Sequence, residues 1–267
     1  MSEILNELQE VKKASQEQAA ASNNLSQEVS GKMAEIDQKV NQTADEILQV
    51  ITSNNVIIYY VDGVNGSDSN SGSSGSPFFS LNRALSVCPT GSKVTIYMKR
   101  GQRHTTLSQP ISCHASFVNL MPWGLNTDLS SAFHYDETTP IIALECSLNL
   151  YGSVVFGGYK STLIVETNER TPADGVQCWV SSNIVISRSR LILNLNNESA
   201  PIFGSHYNYV NPVKVALRDA DIVRTKGYLA RSGCLFSVDS ATGFQYTDDV
   251  IRGATAENTP SNVPFTP

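Results

Sequence analysis

From Leu25 to Ile51 the apolar residues recur at intervals of 4, 4, 3, 4, 4, 3 and 4: Leu25, Val29, Met33, Ile36, Val40, Ala44, Ile47 and Ile51. That is an 11-residue repeat of about 3.67 residues per turn, which holds a stripe on one face of a nearly straight or slightly right-handed bundle. Ile4, Leu8 and Val11 begin an earlier stripe, and the Ala14–Asn24 stretch between them is rich in Ala, Ser and Gln. One helix of about 49 residues would reach roughly 73 Å. No other part of the chain is shaped to cover a stripe that long. The spacing therefore predicts a parallel coiled coil of identical chains, and the mixture of Ile, Val and Leu leans towards three strands. The alternative is a helix lying along its own C-terminal half, which the polar Ala/Gln middle suits poorly.

The composition changes near Asn54. Residues 1–52 hold no Pro, no aromatic residue and one Gly, with nine acidic and four basic residues. All 11 prolines and all 21 aromatic residues lie beyond, where 15 basic and 16 acidic residues nearly cancel. Such a split marks two physical regimes. The net charge of −6 shows no basic face and argues against nucleic acid. No apolar run approaches the roughly 18 residues of a membrane span. The acidic, helix-patterned start MSEILNELQE does not read as a secretory signal. Cys88, Cys113, Cys146, Cys178 and Cys234 are odd in number and widely spaced, which reads as free buried thiols of a protein made in the cytosol.

Beyond Asn54 the pattern is β. Val56–Val61 is a β-branched and aromatic run ending at Asp62-Gly63. Ser76 fits an N-cap and Pro77 a first helical position, with Phe78, Leu81 and Leu85 at helical spacing before Pro89. Short strands are expected at 94–98, 117–121, 148–156, 183–187, 191–195, 213–217 and 235–238. No helix-length amphipathic segment interrupts them, which disfavours βαβ units. Ile111-Ser-Cys113, Leu144-Glu-Cys146 and Val176-Gln-Cys178 repeat apolar-x-Cys at spacings of 33 and 32. Stacked coils of a β-solenoid make such a ladder, and a β-sandwich is the competing reading.

Between the first strand and the helix, ten of the fifteen residues from Asp62 to Ser76 are Gly or Ser. The composition alone reads as a tether. Asp62, Asn65, Asp68 and Asn70 are spaced like calcium ligands, but the Glu that closes an EF-hand loop is missing. The expected answer is an ordered turn in which Asn, Asp and Ser side chains bond their own backbone.

Tyr60-Val61-Asp62, Asn65-Gly-Ser-Asp-Ser-Asn-Ser-Gly72, Ser76-Pro-Phe78 and Leu81-Asn-Arg-Ala-Leu85 together resemble the start of the right-handed parallel β-helix of bacteriophage tailspikes and tail fibres, the pectate-lyase-like fold. The likeness is strongest over 57–100 and general over 100–255. It implies a trimeric coiled-coil stalk (1–53) and an opening strand, ordered loop and capping helix (54–92). A β-helix domain (93–256) and an extended Pro-rich tail (257–267), on a neighbouring chain or unattached, follow. Phe78, Phe79, Leu81, Leu85 and Val87 would cap the open end of the solenoid, and about 165 residues leave room for roughly five to seven coils.

Depolymerising tailspikes that resemble this fold work with paired carboxylates. Asp219 and Asp221, two apart in a strand, would share a face at roughly 7 Å; Glu145 and Glu166 form a second pair. Solvated surface carboxylates with Arg218 and Arg224 as partners are the plainer reading. His104, His114, His134 and His206 lack metal-binding spacing, and no cofactor or metal is expected. Aromatic loops carrying Trp123, Tyr135, His206, Tyr207 and Tyr209 suit a sugar face or a protein partner. The expected function is a non-catalytic, homotrimeric phage tail fibre of the virion. It would attach to other virion proteins and contact host surface polysaccharide or protein. A tailspike depolymerase and a head fibre or connector holding another receptor-binding protein are the alternatives.

Overall fold

The computed structural model describes residues 2–54, 56–106, 110–124, 135–158, 162–180, 182–205 and 213–267, with helix side chains at 6–40, 42 and 43. It divides into two compact units, Met1–Thr52 and Ser53–Pro267.

The first unit is α1, Ser2–Asn54. Good helix formers without Pro carry it, and Gly31 lies where nothing crowds it. Surface pairs such as Lys32–Glu35 (3.2 Å) add a few tenths of a kcal/mol each. The stripe is exposed: Leu25 62 %, Val29 50 %, Met33 61 %, Ile36 59 % and Val40 60 %. The side chains of Ile47 and Ile51 lie outside the described residues.

The second unit opens with β1 (Val56–Val61) and α2 (Leu81–Ser86). Successive turns of chain then follow. They are β2 (Lys93–Lys99), β3 (Arg103–Thr106) and β4 (Ile111–Cys113); β5 (Phe117–Trp123), β6 (Ile141–Leu144) and β7 (Leu148–Leu150); β8 (Ser153–Phe156), β9 (Ile164–Thr167) and β10 (Val176–Cys178); β11 (Ser182–Ser187), β12 (Arg190–Asn194) and β13 (Phe203–Ser205). Then come β14 (Val213–Lys226) and β15 (Ala230–Arg231), and finally β16 (Leu235–Thr242), α3 (Thr247–Val250) and β17 (Ile251–Arg252).

Each strand pairs in parallel with the strand one turn away. The first face runs β1-β2-β5-β8-β11-β14-β16, the second β3-β6-β9-β12-β14 and the third β4-β7-β10-β13. β14 belongs to two faces, Val213–Arg218 pairing β11 and Asp221–Lys226 pairing β12, so one large parallel sheet curls back on itself. This connectivity is consistent with a parallel β-helix, and it excludes the sandwich, whose sheets are antiparallel.

Like stacks on like inside. Val94, Val118, Val154, Ile184, Val215 and Phe236 form one register row, and Ile96, Leu120, Phe156, Ile186, Leu217 and Val238 another. All but Val238 are buried. Each such side chain contributes about 1.5–3 kcal/mol by leaving water. On the third face Cys113 pairs with Leu150, and Leu150 with Cys178. Two of the three repeat cysteines thus share a row. Cys146 does not: it lies between β6 and β7, two residues before the row's own turn begins at Leu148.

A corner follows β2, β5, β8, β11 and the first half of β14. It needs a left-handed residue, supplied by Gly101 (φ 70°), Gly124 (99°), Gly157 (83°), Arg188 (49°) and Asp219 (46°). Glycine adopts this freely, and Asp is among the residues that tolerate it best. A second kind of corner divides the run expected as one strand over 148–156. Tyr151 and Gly152 turn the chain from the third face of one coil to the first face of the next, and a Cβ at Gly152 would overlap the backbone of Ala115 and Ser116.

The cap forms, with a shifted start. Phe78, Leu81 and Leu85 are buried, Val87 packs against the core, and Phe79 is exposed. The N-cap is Ser80, whose hydroxyl accepts from Arg83 N at 3.1 Å, not Ser76. Residues 76–79 cannot start the helix because they are spent on β1: Phe78 N donates to Tyr60 O (2.9 Å) and Asp62 N to Phe78 O (2.9 Å). The tail folds onto its own unit. Phe236 N donates to Pro260 O (3.0 Å), Val238 N to Asn262 Oδ1 (2.8 Å) and Thr247 N to Pro264 O (2.8 Å). It covers part of the free edge of β16.

Candidate functional site

The loop after β1 is an ordered hydrogen-bonded turn. Asp62 Oδ1 accepts from Val64 N and Asn65 N (both 3.0 Å) and from Gln102 Nε2 (2.9 Å). Asp68 accepts from Phe79 N (3.1 Å) and Ser80 N (2.8 Å) through Oδ1, and from the Ser80 hydroxyl (2.7 Å) through Oδ2. Asn70 Nδ2 donates to Pro77 O at 2.8 Å. Burial opposes ionisation of Asp62, but the donors from Gln102, Asn65 and Val64 outweigh it and hold the carboxyl at about 2. Donors fill the places that a cation would need.

The second face carries the charge. Arg190, on β12, donates from Nε to Asp221 Oδ2 at 2.7 Å, and Thr242 donates its hydroxyl to Asp221 Oδ1 at 2.8 Å. The guanidinium also lies over the Tyr135 ring at 4.2 Å. Burial raises the Tyr135 hydroxyl's pKa, and the Asp221 charge adds to the effect. Asp219 sits in the left-handed corner and pairs with Arg188 at 3.5 Å. The corner, where the pairing with β16 shifts register between Leu217 and Arg218 and again between Arg218 and Ala220, replaces the straight strand that would have set both aspartates on one face. Each answers to its own arginine, and neither to Arg218 or Arg224.

Glu145 and Glu166 do meet, around Arg103. One guanidinium nitrogen pairs with Glu166, and another lies 4.0 Å from Glu145. Asn168 Nδ2 (2.9 Å) and Arg170 (3.4 Å) also donate to Glu145. Carboxylates so engaged make a charge-assisted staple across β3, β6 and β9.

Trp123 packs in a cluster. Its ring is tilted against Tyr60 at 4.9 Å and lies under Lys99 Nζ at 4.4 Å, while Tyr60 stacks on Tyr97 at 5.3 Å. Trp123 and Tyr135 therefore each have a cation over the ring. His206, Tyr207 and Tyr209, with residues 125–134, lie outside the described residues.

Sequence reasoning missed a ring ladder. His114, Tyr151 and Trp179 each follow the end of a third-face strand and stack at 4.3 and 5.6 Å. The signal was available, since each ring directly follows a member of the Cys113–Leu150–Cys178 row. His104 lies on β3. It is buried at the start of the His104–Ile142–Val165–Leu191–Ile222 row, where burial lowers its pKa and its Nε2 bonds Lys99 O at 3.0 Å.

No family model, curated protein or solved structure matches the chain in comparison. Among the described residues, no helix is long and apolar enough to cross a membrane.

Proposed function

We propose that this chain is a homotrimeric bacteriophage fibre. Three parallel α1 helices form the coiled-coil stalk that attaches to the particle. The second unit is a right-handed parallel β-helix that contacts the host surface without catalysis. The observation that carries this reading is the exposed apolar stripe from Leu25 to Val40, a surface that identical helices would bury. The parallel strand order supports the solenoid half, and strand–crossover–strand connections are right-handed in nearly all proteins. The ion-paired state of Asp221, Glu145 and Glu166 supports the non-catalytic assignment. Three copies would give weak individual contacts a joint affinity, since the second and third bind at high local concentration.

Sedimentation equilibrium of the full chain tests the assembly. The expected mass is about 87 kDa, three times 29.0 kDa, and a mass of 29.0 kDa would overturn it. Gold-labelled antibody on intact virions, together with binding of the purified protein to host cells, tests the role. Label on the fibre and saturable cell binding are expected. Unlabelled virions, or release of reducing ends from host polysaccharide, would overturn it.

A further inference from the structure

The cap and the first coil meet at two cysteines. Cys88 follows α2, and Cys113 ends β4, which α2 packs against. Both are buried and reduced. The backbones beside them are tied together. Gly91 N, three residues after Cys88, donates to the carbonyl of His114, the neighbour of Cys113, at 2.9 Å. The Ser116 hydroxyl returns a bond to Gly91 O at 2.8 Å. The Cys88 thiol donates to Ala84 O at 3.2 Å, and each of the two thiols lies near enough to act on the ionisation of the other. Cys178 shares the row of Cys113, but Leu150 stands between them.

We propose that Cys88 and Cys113 are a disulfide-forming pair that fastens the capping helix to the first coil when the protein passes from a reducing to an oxidising medium. This goes beyond the fibre reading and does not depend on it. The neighbouring Cys88 holds the pKa of the Cys113 thiol below its ordinary value, which makes Cys113 the attacking sulfur. The oxidant is a low-molecular-weight disulfide such as oxidised glutathione. Cys113 thiolate attacks one of its sulfurs and expels the first small thiolate. Cys88, deprotonated, then attacks Cys113 in the mixed disulfide and expels the second. The protein pair loses two electrons and two protons, and the small disulfide becomes two thiols. Both sulfurs are buried, so the reaction proceeds through transient opening of α2 at the end of the solenoid. The bond closes a loop of about 26 residues and removes that freedom from the unfolded chain.

The test is made on the full chain, incubated with oxidised glutathione or with a phosphine reductant. Thiols are counted in denaturant, and the digest is mapped by mass spectrometry. Five titratable thiols in the reduced protein should fall to three, with Cys88 and Cys113 in one cross-linked fragment. The unfolding midpoint should rise by roughly 5–10 °C on oxidation. C88S and C113S should each abolish the cross-link, while C178S retains it. Should the serine variants fail to fold, the wild-type fragment map decides alone. Five thiols after oxidation, or a cross-link to Cys146, Cys178 or Cys234, would overturn the assignment.

Discussion

The Asp68 carboxylate holds Ser80 twice, through its backbone N–H at 2.8 Å and its hydroxyl at 2.7 Å. Ser80 in turn caps α2 through Arg83 N. A side chain in a Gly/Ser-rich loop thereby sets the first turn of the helix that closes the solenoid. Asp68→Ala frees Ser80 and should cost about 1 kcal/mol, lowering the unfolding midpoint of the second unit by roughly 2–4 °C. A midpoint unchanged within error would mean that the cap is set by its buried leucines alone.

Asp62 makes the same loop sensitive to acid. Its carboxyl ionises at about 2 in the folded chain, below the ordinary 3.8. A depressed pKa contributes stability that is complete above the unfolded value and is lost as pH falls through the folded one. Wild type should therefore lose stability relative to Asp62→Asn between about pH 4 and pH 2. Parallel urea titrations of the two proteins over that range read it directly, and parallel curves would refute it.

The corners predict unequal costs for two glycines. A Cβ at Gly157 would overlap the Ser189 hydroxyl and the Ser187 carbonyl, whereas nothing lies within 4 Å of one at Gly101. Both glycines are left-handed. Gly101→Ala should cost about 1 kcal/mol for the conformation alone, and Gly157→Ala at least twice that. Gly101→Asn should fall below Gly101→Ala, because Asn tolerates the left-handed region. Denaturant midpoints for the three variants settle the order.

Arg190 and Asp221 provide a coupling test. The pair is part-buried, at 2.7 Å, and shared with Tyr135 and Thr242. A double-mutant cycle with Arg190→Ala and Asp221→Ala should return about 1 kcal/mol of interaction energy, weakening in high salt. A value near zero would demote the contact to an ordinary surface pair.

For the proposed stalk, Met33→Lys combined with Ile36→Lys should leave single chains, because charges placed in the proposed seam would be buried unpaired. The far-ultraviolet β signal of the second unit should persist. Light scattering at unchanged mass would show that the stripe is not the seam.

Much of this fold is written in residues that announce themselves. The 11-residue stripe, the apolar runs of β1, β2, β5 and β11, and the buried leucines of α2 all stand out. What stayed hidden was hidden for physical reasons. β3 reads Arg-His-Thr-Thr and carries no apolar period, since the side chain it buries is His104. β14 looks like one strand, but its corner uses an aspartate where three earlier coils use glycine and one uses Arg188. Ser76-Pro77 is a better helix start by local rules than Ser80, and it lost to hydrogen bonds with β1. In the charge clusters the candidate acids were visible, but their arginines were not. Arg103 and Arg190 stand 63 and 31 positions from Glu166 and Asp221, and only coil stacking brings them together.

Both ends of the solenoid are finished, by α2 at one and by the returning tail at the other, and the coils between them repeat one connection. Length is thus separable from closure. Excising one whole coil, from Ser153 to Ser181, would set β7 and β11 in succession and leave both terminations intact. The domain would shorten by about one strand spacing, 4.8 Å. Such a protein is a ruler whose graduations can be removed or added singly while its end pieces stay the same.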